Sequence, residues 1–199
     1  MNDHYFTADP GGRDVRRRVE ARIWDRDYTF TTSRGVFSAG RLDKATEVLL
    51  RTCVPPTGAR TVLDLGCGWG PIACAIAVEC ADTVVHAVDT NERALELVRV
   101  NAADLELAGR VVAMTPDEVA DEVRYDEIWS NPPIRIGKAA LHQMLLGWLP
   151  RLAEDGVARL VVGKNLGSDS LQRWLVEQGW RCERRTSVKG FRVLVVSPH

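Results

Sequence analysis

Val62-Leu63-Asp64-Leu65-Gly66-Cys67-Gly68-Trp69-Gly70-Pro71 is the stretch whose reading decides the fold. A short apolar run ends in three glycines at alternate positions. At Pro71 it gives way to Ile72-Ala73-Cys74-Ala75-Ile76. Glycine lets the backbone turn sharply and approach a ligand closely. Proline suits the first turn of a helix, where its missing N–H has no partner to lose. The expectation is a buried strand over 61–65, a ligand-cradling loop and a helix over 71–80.

The glycine spacing is GxGxG, not the GxGxxG of the dinucleotide fingerprint. Asp64 stands just before the glycines, where a carboxylate repels a phosphate but suits an ammonium group. That combination favours S-adenosylmethionine over a nicotinamide dinucleotide. Asp64, Gly66, Gly68 and Gly70 are therefore candidate cofactor residues, with a dinucleotide oxidoreductase as a distant alternative.

Downstream, short apolar runs alternate with amphipathic segments. Strands are expected over 83–88, 111–114, 126–130 and 157–162, and helices over 91–107, 138–149 and 169–178, the last capped by Ser168 and stopped by Gly179. Such alternation implies a mostly parallel sheet with helices on both faces. Two final strands, near 180–185 and 191–196, have no helix between them and should be antiparallel around Lys189-Gly190. Asp89 ends the second strand of the series, placed to accept the ribose hydroxyls of an adenosine ligand. Asp117 follows the third strand, where an adenine amino group could be met.

Asn131-Pro132-Pro133 follows the fourth strand directly. In an open α/β sheet, ligands gather at the carboxyl ends of the strands. Two prolines remove two N–H donors, leaving the Asn131 side-chain oxygen and the Pro132 carbonyl as acceptors. Such an array suits a planar –NH₂ group, whose lone pair it can turn toward an electrophilic methyl. Asn131, Pro132 and Pro133 are the candidate catalytic group, and Ile134 and Arg135, directly after them, are candidate substrate contacts; Phe37 joins these only through the resemblance described below.

Upstream of the glycine loop, alternation over 15–32 predicts a hairpin turning at Asp25-Arg26-Asp27, and 42–53 reads as a helix. Pro55-Pro56-Thr57-Gly58 is a connector. It divides an N-terminal extension, 1–58, from a catalytic domain, 59–199; the extension could be a lid, a substrate-recognition element or both.

The whole chain of 199 residues carries a formal net charge of −1, which excludes a nucleic-acid-coating polycation. The balance is uneven. Residues 79–127 hold 13 acidic and 4 basic side chains, whereas 128–199 hold 11 basic and 5 acidic. If nucleic acid binds, the basic C-terminal part is the better surface. No apolar run is long enough to span a membrane. Five cysteines without a CxxC pair read as free thiols of a reduced, cytoplasmic protein without a metal site. Cys67 reads as a packing residue, His86 as core and His142 as helix surface.

Taken together, Gly66-Cys67-Gly68-Trp69-Gly70, the acid Asp89 and Asn131-Pro132-Pro133 resemble class I S-adenosylmethionine-dependent methyltransferases acting on amino nitrogens. The chain is most similar to the small-domain family of small-subunit ribosomal RNA guanine-N2 methyltransferase C. His4-Tyr5-Phe6, Gly35-Val36-Phe37-Ser38 with Leu42-Asp43 and Thr46, and Lys189-Gly190-Phe191-Arg192-Val193-Leu194 extend the likeness over nearly the whole chain. The resemblance implies a Rossmann-like, seven-stranded, mostly parallel sheet with a reversed last strand. It implies S-adenosylmethionine at Gly66, Gly68, Gly70 and Asp89, the target amine at Asn131, and RNA as the substrate.

Two departures stand out. The ribosomal enzyme has a duplicated N-terminal half that this sequence lacks. Ile134 also stands where many such enzymes carry an aromatic residue, leaving Phe37, Trp69 or Trp129 to stack on a flat substrate. A protein glutamine or a small amine offers the same –NH₂, and a non-catalytic cofactor-binding domain is the reading outside the enzymes.

Overall fold

A two-stranded hairpin lies against a seven-stranded sheet in the computed structural model, which describes residues 16–36, 38, 40–133 and 136–199. The order along the chain is β1 (Arg16–Ile23), β2 (Arg26–Ser33), α1 (Lys44–Thr52), β3 (Thr61–Leu65), α2 (Pro71–Glu79), β4 (Val84–Val88), α3 (Glu92–Asp104) and β5 (Val111–Met114). It continues with β6 (Tyr125–Ser130), α4 (Lys138–Trp148), β7 (Leu152–Gly163), α5 (Ser168–Glu177), β8 (Arg181–Val188) and β9 (Phe191–Ser197). The large sheet runs β5-β4-β3-β6-β7-β9-β8, parallel except for β9, which is antiparallel to both β7 and β8. This is the Rossmann-like sheet with a reversed final strand that the sequence predicts.

Alternating side chains of the strands feed two cores, as the period-two geometry of a strand requires. Val62, Ala87, Trp129 and Val161 join the hairpin, α1, α2 and α3 on one face. Leu63, Val88, Ile128 and Leu160 join α4 and α5 on the other. The described part of the extension shares the first core: Phe30 is fully buried, and its ring lies 5.1 Å from that of Trp69 in the glycine loop.

Asn101 ties the same regions together. Its amide accepts from Thr31 N–H (2.7 Å) and donates to the carbonyls of Thr31 (2.9 Å) and Trp69 (2.8 Å). A buried amide with its partners satisfied fixes one arrangement of the three segments.

Three local expectations change. The hairpin turns at Trp24-Asp25, both in the left-handed region, rather than at Asp25-Arg26-Asp27. Trp24 is anchored there by its indole N–H to the Cys53 carbonyl (2.8 Å) and by an edge-on contact with Trp129. Strand β7 extends from 152 rather than 157, because Leu152 pairs with Tyr125 ahead of a bulge. Ser168 is the first residue of α5 and not its cap; Gly167, at φ 95°, holds the cap position. Phe37, Ile134 and Arg135 lie outside the described residues.

Candidate active site

Strand order reverses between β3 and β6, so the chain leaves these neighbours in opposite directions and opens a crevice at their carboxyl ends. The glycine loop follows β3, and Asn131-Pro132-Pro133 follows β6. Ser130 joins the two ends: it is fully buried, and its hydroxyl donates to the Leu65 carbonyl at 2.7 Å. A Cβ built on Gly66 would lie 3.9 Å from Pro133 Cδ, so the loop and the proline pair face one another.

Gly66, Gly68 and Gly70 have φ of 74°, 55° and 83°, values that L side chains rarely adopt. The N–H groups of Gly66 and Cys67 both donate to the Val88 carbonyl, at 2.8 and 3.1 Å. A Cβ on Gly68 would meet nothing within 4 Å among the described residues, so among them it would project into open space. At Gly70 it would press on Val98 Cγ2 at 3.1 Å. Gly68 thus leaves room for a ligand, while Gly70 lets α2 and α3 approach.

Asp89 braces the loop from β4. Its Oδ2 accepts from Gly68 N–H (2.9 Å) and its Oδ1 from Asn91 N–H (3.0 Å). Burial raises its pKa, and the backbone donors at Asn91, Gly68 and Thr90 oppose that rise. Each carboxylate oxygen has a further lone pair for a hydroxyl donor.

Asp64 is fully buried beneath the loop, and its Oδ2 accepts from Ala73 N–H at 3.0 Å. The cap position of α2 is Gly70, which has no side chain to offer, so a carboxylate from β3 takes over that work. The other oxygen, Oδ1, is buried with no hydrogen-bond partner among the described residues. Burial, with the nearby Asp89 charge, pushes the Asp64 pKa up to about 7. Asp117 lies on a short 3-10 turn, Pro116–Glu118, after β5, and is exposed.

Asn131 is half-buried, and its amide nitrogen is committed. Nδ2 donates to Asp43 Oδ2 (2.9 Å) and to Thr46 Oγ1 (3.1 Å), both at the start of α1. Ile136 N–H donates to the Pro133 carbonyl at 3.1 Å. Asn131 Oδ1 and the Pro132 carbonyl are left as acceptors with no protein donor among the described residues. The sequence places Asn131 at the site but does not show its partners. Asp43 lies 88 residues away, and the sequence brings it and Thr46 forward only as part of the family likeness, not as partners of Asn131.

Other candidates resolve into structure. Trp69 and Trp129 are 2% and 0% exposed, so neither is available to stack on a substrate. The Trp129 indole donates to Glu127 (2.7 Å), which also holds Arg159 by two bonds, at 2.7 and 2.9 Å. The Cys67 thiol is buried, which pushes its pKa well up and removes it as a nucleophile. His86 meets the Tyr125 hydroxyl at 3.0 Å, and His142 stacks on Trp174. Beyond the end of β7, a cavity of about 120 Å³ is lined by Lys138, His142, Val162 and Ser170 among others. No described helix is long and apolar enough to cross a membrane.

These residues fit a sulfonium-bearing nucleoside. Gly68 leaves open space that a Cβ would fill, Asp89 stands at the end of the second parallel strand, and Asp64 Oδ1 is an orphaned acceptor below the loop. An open, doubly wound sheet with a reversed last strand and this loop define an S-adenosylmethionine-dependent methyltransferase.

Comparison with known proteins gives the family. Residues 27–195 match the methyltransferase small domain, and the chain belongs to that family. It is 30% identical over 172 residues to the uncharacterized protein YbxB of Bacillus subtilis, covering 85% of this chain and 86% of that protein. Ribosomal RNA small subunit methyltransferase C of Klebsiella pneumoniae is 36% identical over 141 residues, covering 68% of this chain but 40% of that protein. A solved T. thermophilus 16S rRNA N2 methyltransferase (RsmC), in complex with AdoMet and guanosine, superposes with a TM-score of 0.79 at 27% identity. That match covers 93% of this chain and 51% of the other. The chain thus spans about half or less of the length of these two ribosomal RNA methyltransferases.

Proposed function

We propose that this chain methylates an exocyclic amino nitrogen, with guanine N2 of ribosomal RNA as its target. The observation that carries the proposal is the state of Asn131: its nitrogen is held by Asp43 and Thr46, which leaves its oxygen free to accept, with the carbonyl of Pro132, the next residue, as a second acceptor. Two fixed acceptors match the two N–H bonds of an –NH₂ group.

S-adenosylmethionine supplies a methyl group already activated on a sulfonium. Gly66, Gly68 and Gly70 would hold the donor beside β3, and Asp89 would accept from its ribose. Asp64 would answer the ammonium group from beneath the loop, and Asp117 would meet the adenine. An exocyclic amine is a poor nucleophile because its lone pair is delocalised into the ring. Asn131 Oδ1 and the Pro132 carbonyl take up its two N–H bonds and turn the lone pair toward the methyl. They also stabilise the positive charge that grows on nitrogen. Positioning supplies most of the remaining rate enhancement, and the proton departs to solvent after transfer. Pro133 borders the two acceptors, while Phe37, Ile134 and Arg135 contact the target.

Three observations favour RNA. Relatives that align with much of this chain bear the names of ribosomal RNA methyltransferases. Basic residues prevail in 128–199, among them exposed Lys138 and Lys164 at the carboxyl edge of the sheet. Asp43 of the extension, 1–58, reaches Asn131 of the domain 59–199, so the extension adjoins the target's place and suits a lid, a recognition element or both. The base enters unpaired or flipped out of its helix. Unpaired thiols and such a target suit a cytoplasmic protein.

Labelled S-adenosylmethionine, offered with RNA, protein and metabolite fractions of a strain lacking the gene, tests this reading. Label in RNA, recovered as N2-methylguanosine and lost with Asn131→Ala, is the expected result. Label only in protein or metabolites moves the target to a glutamine or a small amine. Binding of the donor without transfer to any fraction leaves a non-catalytic domain.

A further inference from the structure

We propose that Asp43 and Thr46 are positioning residues for methyl transfer: they lock the Asn131 amide in the one orientation that presents its oxygen to the target amine. The inference rests on the reading of Asn131 given above.

An asparagine amide is nearly symmetric in shape, and a rotation by half a turn exchanges its donor and acceptor ends. In the wrong orientation, Asn131 would offer N–H to the target –NH₂ and repel it. Thr46 alone does not decide between the two, because a hydroxyl accepts from nitrogen as readily as it donates to oxygen. An ionised carboxylate does decide, since it only accepts. With Asp43 Oδ2 at 2.9 Å, the facing amide atom must be the nitrogen. Thr46 Oγ1, at 3.1 Å from the same nitrogen, takes its second hydrogen.

Asp43 is itself held firmly. Its Oδ2 caps α1, accepting from Ala45 N–H (2.8 Å) and Thr46 N–H (3.2 Å). The helix is pinned to the sheet by buried Val48 and Leu49, and Lys189 at the turn between β8 and β9 bonds Glu47 at 3.2 Å. The carboxylate is thus a fixed post rather than a mobile side chain. The arrangement selects donors over acceptors at the target position and makes α1 part of the transfer machinery.

A structural role as a helix cap would give the same geometry, so the test must separate cap from clamp. Serine caps a helix nearly as well as aspartate but is too short to reach Asn131. Asparagine keeps an acceptor in the place of Oδ2. The experiment measures single-turnover transfer from labelled S-adenosylmethionine to whichever of the three fractions accepts label. Donor affinity and melting temperature are followed alongside.

We expect Asp43→Ser to lower the rate about 10- to 100-fold, the scale on which misplacing a reacting group acts, with donor affinity and melting temperature unchanged. Asp43→Asn restores the rate to within about threefold of wild type, and Thr46→Val falls between the two. Added to Asn131→Ala, Asp43→Ser costs nothing more, because residues acting as a unit are not additive. A direct readout is the Asn131 side-chain amide in an ¹⁵N spectrum, assigned by its loss in Asn131→Ala. It is expected to be protected from exchange in wild type and to lose that protection in Asp43→Ser.

Asp43→Ser at the wild-type rate, an equal loss in the Asn131→Ala background, or an unchanged amide signal would each overturn the inference while leaving the parent reading intact. Full activity of Asn131→Ala, or no transfer to any fraction, overturns the parent reading and the inference with it.

Discussion

The two halves of the sheet meet at β3 and β6, and they are drawn largely from sequence segments of opposite charge. On one side lie β4, α3 and β5, drawn from the segment 79–127 with its 13 acidic and 4 basic residues. On the other lie β7, β9 and β8 with α4 and α5, drawn from 128–199 with its 11 basic and 5 acidic residues. The near-zero total charge conceals this division. An acidic half suits a donor that carries a sulfonium and an ammonium, and a basic half suits a polyanionic target. In the proposed reading each half serves one reactant, and the two meet at Gly66 and Pro133 across the crevice.

The comparison can be broken most severely at its target side. Asn131→Ala is expected to lower turnover about 100- to 1,000-fold, as removal of a charge-stabilising partner does, with donor affinity held within about twofold of wild type. A collapse of donor affinity, measured by calorimetry, would place Asn131 in the wrong half. Asn101→Ala comes next. It strands the Thr31 backbone and the Trp69 carbonyl without partners, and denaturant melts should show a loss of about 2–3 kcal/mol. Asp89→Ala is then expected to weaken donor binding about tenfold by removing the brace on Gly68 and the ribose acceptor, with transfer recovered at saturating donor.

Smaller effects sharpen the division of charge. Replacing both Lys138 and Lys164 by alanine should weaken RNA binding about three- to tenfold and flatten its salt dependence by about two charges. An unchanged salt slope in filter binding would put the RNA elsewhere. The smallest effect concerns Asp64, whose carboxyl is raised to about 7 by burial. An aspartate in the unfolded chain titrates near about 3.9, so the folded protein binds the proton more tightly. The stability conferred by that proton is full below the unfolded value and is lost as pH rises through the folded one. Melting temperatures of wild type minus Asp64→Asn should therefore fall as pH is raised from about 4 to 7 and level off above. A flat difference would mean that Asp64 is ionised throughout.

What was legible in the sequence follows from where the determinants lie. The glycine loop and Asn131-Pro132-Pro133 are legible because glycine and proline constrain the backbone locally, and alternation of strands and helices fixes the order around them. The Asp43–Asn131 contact is not, since only the docking of α1 on the sheet joins positions 88 apart. Asn101 gave a fainter signal: on the helix expected over 91–107 it stands one turn after Val98, on the face that α3 buries. A polar residue there needs buried partners, and the hairpin and glycine loop provide them. The hairpin turn moved by one residue because Trp24 is anchored by Cys53, a tertiary contact that turn chemistry does not register.

The most direct measurement of the division of labour is a crossed single-turnover experiment. Asp89→Ala and Asn131→Ala are each assayed for transfer at rising concentrations of donor with RNA in excess. The account predicts that Asp89→Ala approaches the wild-type rate once the donor is saturating, whereas Asn131→Ala stays slow at every donor concentration. The reverse, with Asn131→Ala rescued by donor and Asp89→Ala slow at saturation, would contradict it.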